Sequence, residues 1–321
     1  MFSKPIKALA VCALAAFATA GHAQSYPAKP VKIIVPYAAG QGTDIVARYF
    51  AEQLTKSLGQ SFVVENRAGA GGNIGTQMTA KSPADGYTLM MGTNATHAAN
   101  SVLYDNPGFD PQADFEPVAL VGILPLVFVA NASSPIDSIP KLVAAARAKP
   151  GAINFAVTTT TSRSAYELLK QNAQASFAPV PYKGAAQAVN DIVGGQLDYT
   201  VDTITSLRPH VESGKLRALG VTSAGTTRLM PGISSVAEQG VSGYEISGWN
   251  AAFAPKGTPA AVIQVLAGEL NKLMAMPETQ AKLLQLGVDP LVKTGDDLVA
   301  FMRTERDKWG QLIRAANLKA Q

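Results

Sequence analysis

Residues 32–50 read KIIVPYAAGQGTDIVARYF, and the order of residue types in them decides the fold class. The apolar run Val31–Val35 has the composition of a strand, and Pro36 ends its pairing because proline brings no N–H to a ladder. Gly40 and Gly42 open a small-residue turn, and Thr43 or Asp44 is suited to cap the helix predicted over residues 44–58. Strand, turn and helix in this order form the repeating unit of an α/β sheet. In such folds ligands sit at the C-terminal edge of the strands, where a helix start favours anionic groups. The turn therefore suits a carboxylate. Every strand-to-helix turn of an α/β fold shares this chemistry, so a purely structural turn stands equally at this level.

Working outward, the same alternation recurs. Strands are predicted over residues 62–65, 88–92, 118–121, 126–130, 153–156, 178–180, 199–201, 216–221 and 251–254. Helices are predicted over 75–81, 139–148, 164–173, 185–193 and 205–213, then 260–274, 277–286 and 296–316 in succession. The pattern predicts an α/β fold with mainly parallel sheets and a helical tail packed on a finished sheet. Residues 117–130 and 244–255 are apolar, strand-like runs that suit passages between lobes. Two such crossovers place residues 24–124 plus 249–321 in lobe 1 and residues 125–248 in lobe 2, an arrangement suited to hinge closure. A single doubly wound domain is the competing arrangement.

Composition narrows the function classes. Lys4 and Lys7 precede an apolar run ending in small residues, the pattern of an export signal over residues 1–23. Cys12, the single cysteine, falls inside that segment, so the mature chain carries neither disulfide nor thiolate metal site. Of 27 basic residues, 25 lie beyond the signal against 23 acidic ones, scattered without a basic face, which argues against a nucleic-acid partner.

A second glycine cluster, NRAGAGGNIGTQM at residues 66–78, fails the dinucleotide fingerprint because Ile74 stands where the third glycine belongs. No cofactor is expected. GTNATHAAN, residues 92–100, offers Thr93, Asn94, Thr96 and His97 in one polar turn. No G-x-S-x-G, H-E-x-x-H or paired-carboxylate motif is visible. In AVTTTTSRSAYELL, residues 156–169, Thr158, Thr159, Thr160, Thr161 and Ser162 exceed what capping one helix requires, and Arg163 suits either a ligand carboxylate or solvent. Gly184-Ala185-Ala186 opens another helix beside Lys183, and Asp202 suits either a helix cap or a ligand amine.

With these residues in view, the chain resembles the extracytoplasmic solute receptors of the tripartite tricarboxylate transporter group, the Bug proteins. The resemblance rests on ordered blocks: YPAKPVKIIVPYAAGQGTDIVAR, VVENRAGAGGNIGTQ followed after Met78 by TAKSPADGYTL, NATHAAN, VPYKGAAQAVNDIVGGQLD, SGKLRALGVTSAGTTRLMPGISSVAEQG and FAPKGTPAAVI. It implies a periplasmic, two-lobed Venus-flytrap α/β fold holding a small organic carboxylate. The family's first ligand loop falls on Tyr37, Ala38, Ala39, Gly40, Gln41, Gly42, Thr43 and Asp44. Opposite-lobe contacts fall on Thr158–Ser162, Lys183, Gly184, Ala185 and Asp202, flanked by Thr93 and Asn94. The threonine run, Arg163, Gln41 and Gly42 depart from the usual family pattern, so the cargo stays open among dicarboxylates, tricarboxylates, aromatic acids and amino acids.

The expectation is a monomeric, non-catalytic receptor serving membrane transporter subunits. The alternatives are an exported hydrolase or lyase with Asp44 or His97 as base, and a chemosensory receptor using the same cleft. Tyr37 and Trp249 suit an aromatic cargo if they face inward, although such residues more often serve packing.

Overall fold

Strand β1 (Val31–Val35) lies between β2 (Phe62–Asn66) and β3 (Thr88–Thr93) and runs parallel to both. The computed structural model describes residues 26–315, 317 and 318, so the predicted export signal, residues 1–23, lies outside the described residues. The helix Gly42–Leu58 returns the chain from β1 to β2. It buries Val46, Ala47, Phe50, Ala51 and Leu54 on one face and ends at Gly59, whose φ of 71° is the left-handed stop that favours glycine.

The remaining strands are β4 (Phe115–Asn131), β5 (Asn154–Val157), β6 (Ala178–Pro181), β7 (Tyr199–Thr203), β8 (Leu216–Val221) and β9 (Ser247–Pro255). The sheet order is β2-β1-β3-β9-β4-β7-β5-β6, with β8 also paired to β4. β4 joins the two halves of the sheet. Its first part pairs with β9 as far as Pro125↔Ser247, and from Leu126 onward it pairs with β7 and β8.

The sheet departs from the sequence pattern in two ways. The segments 118–121 and 126–130 are one strand, because the breaks expected at Gly122 and Pro125 are absorbed within it. The ladder shifts register between Leu120 and Gly122, where Gly122 takes φ 155°, and Pro125 stands at the change of partner, where a missing N–H is tolerated. The sheet is also mixed rather than mainly parallel. β1, β2 and β3 are parallel, as are β5, β6 and β7, but β4 pairs antiparallel with β7, β8 and β9, and β9 with β3. A chain that leaves the first half along β4 and returns along β9 must run back beside itself.

Helices flank both halves. Ile139–Ala148 and Ala185–Val193 match their predicted spans, whereas the helix predicted from residue 164 begins at Thr160, which draws three hydroxyls into its first turn. The C-terminal helices Ala260–Ala275, Pro277–Gln285 and Gly295–Ala315 form the predicted tail, and Leu298, Trp309 and Ile313 bury themselves in the core that contains Phe115, Phe253 and Trp249. Residues 95–99, within the predicted polar turn, form a buried π-helical turn.

Candidate functional site

The turn after β1 is built around Asp44. Its carboxylate accepts from the Gly40 amide at 2.9 Å, from Arg48 Nε at 3.0 Å and from Asn66 Nδ2 at 2.9 Å. Burial pushes its pKa up, but the bonds from Arg48, Gly40 and Asn66 outweigh that and hold it below the usual range. Asp44 therefore ties the turn together and has no capacity left to act as a base. The helix starts at Gly42, two residues before the predicted start, and Gln41 at the cap position contributes no side-chain bond to it. The first helical amides thus lack a side-chain cap.

Asp202 faces this helix start from the end of β7. It is 2% exposed and accepts from Thr158 Oγ1 at 2.5 Å and from the Thr203 amide at 2.6 Å. Burial raises its pKa, against the lowering effect of the Thr158 and Thr203 bonds. Gln41 reaches across to it: oriented by its partners, the Gln41 amide nitrogen donates to Asp202 Oδ2 at 3.3 Å, and its oxygen accepts from Ala185 N at 3.3 Å. Gly184, whose position leaves a Cβ only 3.3 Å from that of Ala38, lets the helix Ala185–Val193 approach the turn this closely.

The hydroxyl run is absorbed by the fold and the cleft together. Thr159 Oγ1 caps the helix by accepting from Ser162 N at 3.0 Å, and Ser162 Oγ donates to the Val201 carbonyl at 2.6 Å. Thr160 donates to Asn100 Oδ1 at 3.3 Å, and Thr161 accepts from Asn94 Nδ2 at 2.8 Å, so both bridge the sheet halves.

Between the halves lies a cavity of about 30 Å³, room for one or two waters, walled by Tyr37, Gln41, Gly42, Thr43, Asn250 and Asp202 among others. Thr93, Asn94, Thr159 and Thr161 complete its polar wall. A groove of about 530 Å³ adjoins it, shares Tyr37 and Thr159, and adds Thr158, Lys183 and the glycine turn at residues 69–72. The Tyr37 hydroxyl, 2.9 Å from Thr93 Oγ1, is buried, and burial raises its pKa well above the ordinary value.

Several predicted residues lie elsewhere. Ala39 and Gly40 are exposed on the outer side of the turn, and Arg163 and Asp44 line neither space. Ser162 is consumed by its backbone bonds. His97 is 1% exposed and stacks on Phe253 with centroids 3.7 Å apart; burial lowers its pKa to about 3, which removes it as a base that cycles near neutrality. Trp249 reaches the cavity wall, but its indole N–H is spent on Glu305 at 2.9 Å.

A helix start on one side and a buried hydroxyl cluster on the other wall this cleft. The family model for the tripartite tricarboxylate transporter family receptor matches residues 46–318. The chain belongs to this receptor family. The receptor is similar to protein BugT of Bordetella pertussis (strain Tohama I), 36% identical over 96% of this chain and 95% of that one. Among solved structures it is similar to an R. palustris protein solved with adipate, with TM-score 0.89, 32% identity, and 92% of this chain and 99% of that chain covered. It is also similar to the periplasmic binding protein BugD, with TM-score 0.87, 34% identity, and 92% and 100% covered. The α/β periplasmic-binding-protein fold follows from these likenesses and from the strand order above.

Asn250 and Thr203 are wall residues that the motifs of the sequence do not single out. A signal for Asn250 is present: a lone amide within the apolar run SGWNAAFAP, where a buried polar side chain calls for partners. Thr203 carries none, since a threonine at a strand end is ordinary.

Proposed function

We propose that this receptor captures a small organic carboxylate in the cleft between two lobes and presents it to the membrane subunits of a tripartite tricarboxylate-type transporter. The observation that carries this reading is the uncapped helix start at Gly42 and Thr43, opening into a cavity whose far wall is Asp202, Thr159 and Thr161. Peptide N–H groups and hydroxyls in a buried space replace the water that an anion loses, each charge-assisted bond contributing about 1.5–3 kcal/mol. A few such bonds reach micromolar affinity, about −8 kcal/mol. The adipate-bound relative supports a carboxylate cargo, and the periplasmic BugD likeness supports a periplasmic location.

In this reading residues 24–124 plus 249–321 move as lobe 1 and residues 125–248 as lobe 2, hinged where β4 changes partners. The ligand contacts are Tyr37, Thr43, Thr93, Asn94, Thr159, Asp202 and the helix start at Gly184 and Ala185, with Gln41 beside them and Thr158 and Lys183 at the groove. The water-sized cavity supports a closed arrangement that must part to admit cargo. The receptor acts as a monomer and returns its cargo chemically unchanged.

The test is calorimetric titration of the purified mature protein with an organic-acid panel, followed by mass spectrometry of the recovered acid. Saturable one-to-one binding of an unaltered acid is the expected result. Failure of every acid to bind, or its conversion to product, rejects the reading.

A further inference from the structure

Two groups in the cleft call for a hydrogen-bond donor rather than another anion, and a third stands in for one. The first is Asn250, 1% exposed on β9. Its Nδ2 donates to Thr43 Oγ1 at 3.1 Å and to the Trp249 carbonyl at 3.2 Å. A carbonyl only accepts, so the orientation of the amide is fixed, and Asn250 Oδ1 is left buried without any partner among the described residues. An unmade buried acceptor costs about 1–3 kcal/mol, and a carboxylate oxygen cannot repair it.

The second is Asp202, which lines the same cavity. Its carboxylate is buried on hydrogen bonds alone; no ion pair among the described residues includes it. A buried carboxylate without a cation is costly, and a second carboxylate brought beside it adds repulsion.

The third is Gln41, 3% exposed, whose carboxamide spans the cleft. It puts a donor on Asp202 Oδ2 and an acceptor on Ala185 N, each at 3.3 Å. An acid with an amino or hydroxyl group on the carbon beside its carboxylate presents the same pair, donor toward Asp202 and oxygen toward Ala185 N, with one more carbon between them.

We propose that the cargo carries an ammonium or hydroxyl donor on the carbon adjacent to a carboxylate, received by Asp202 and Asn250, and that the Gln41 carboxamide holds its place until cargo displaces it. This rests on the carboxylate reading above and narrows it: plain acids and dicarboxylates bind worse than their 2-amino or 2-hydroxy counterparts. The ammonium answers both the charge of Asp202 and the acceptor of Asn250; the hydroxyl answers the hydrogen bonds only.

The experiment titrates the purified receptor with matched triplets: succinate, malate and aspartate; glutarate, 2-hydroxyglutarate and glutamate; phenylacetate, mandelate and phenylglycine. In the triplet of fitting size, a donor-bearing member is expected to bind about tenfold or more tighter than its plain parent. The amino and hydroxy arms identify which donor is used. Asp202→Asn, nearly isosteric, is expected to reduce that preference severalfold; a preference that survives the substitution in full overturns Asp202 as the group that receives the donor. Gln41→Ala is expected to tighten the donor-bearing member, since nothing then has to be displaced; weaker binding would make Gln41 a ligand contact and overturn its role as an occupant. Binding of the parent acid as tightly as both counterparts overturns the inference while leaving the carboxylate reading intact. Failure of all triplets together with every other carboxylate overturns both.

Discussion

Asn94 Nδ2 donates to Thr161 Oγ1 across 2.8 Å, and the two residues belong to opposite halves of the sheet. Asn94 follows β3, while Thr161 sits in the first turn of the helix Thr160–Asn172. The Asn94 oxygen in turn accepts from the Trp249 amide at 3.4 Å, so one side chain ties both halves to the crossover strand β9. Thr161→Val keeps the shape and removes the acceptor, leaving a buried amide donor unmet at a cost of about 1–3 kcal/mol. In the proposed lobe closure the bond forms only when the halves meet, so that cost falls on the closed state. Cargo affinity is expected to drop about tenfold or more in calorimetry, with a smaller change in the melting temperature of the empty protein.

The turn separates affinity from stability. Thr43 accepts from Asn250 Nδ2 inside the cavity, whereas Gly40 is exposed with its amide bound to Asp44. Thr43→Val is expected to weaken carboxylate binding severalfold. Gly40 has φ 83°, and no atom lies within 4 Å of where a Cβ would stand, so Gly40→Ala meets only backbone strain, about 1 kcal/mol. Urea denaturation is expected to register that loss while the affinity holds. Arg163→Ala, outside both spaces, is expected to alter neither mono- nor dicarboxylate affinity in the same titration.

Asp44 carries a pH signature. Bonds from Arg48, Gly40 and Asn66 depress its folded-state pKa below the ordinary 3.8 despite burial. Its stabilisation is therefore complete above that unfolded value and is lost as pH falls through the lower folded value. Asp44→Asn keeps the shape but gives up the charge-assisted bonds, for an expected loss of about 1.5–3 kcal/mol near neutrality, measured by chemical denaturation.

His97 acts in the same direction at higher pH. Buried against Phe253 with Nε2 unpartnered among the described residues, it has a pKa lowered by burial from 6.5 to about 3. The unfolded chain takes up this proton below 6.5 and the folded one does not, so stability is complete above 6.5 and declines as pH falls toward about 3. By about pH 4 the loss amounts to roughly 3 kcal/mol. An NMR titration is expected to show His97 neutral down to that range, and His97→Leu to remove about one proton from the acid-unfolding slope. A normal His97 titration near 6.5 in the folded protein contradicts this account.

The sequence by itself determined the elements whose signals are local. Val31–Val35, Ile139–Ala148, Ala185–Val193 and Leu216–Val221 stand where periodicity and flanking residues place them, because each is set by a few neighbouring residues. The ordered motif blocks likewise carried the family, and the turn at residues 36–44 announced a helix start. Only the tertiary structure decided what depends on partners far along the chain. Gly122 and Pro125 read as breaks until β9 is placed beside β4, because a bulge is defined by the strand opposite it. Asp44 read as a ligand contact until Arg48 and Asn66 turned toward it, and Gln41 read as one turn residue among several until the helix start at Ala185 met it. Asn250 acquired its meaning last, since packing brings partners to its Nδ2 and no protein donor to its Oδ1 among the described residues.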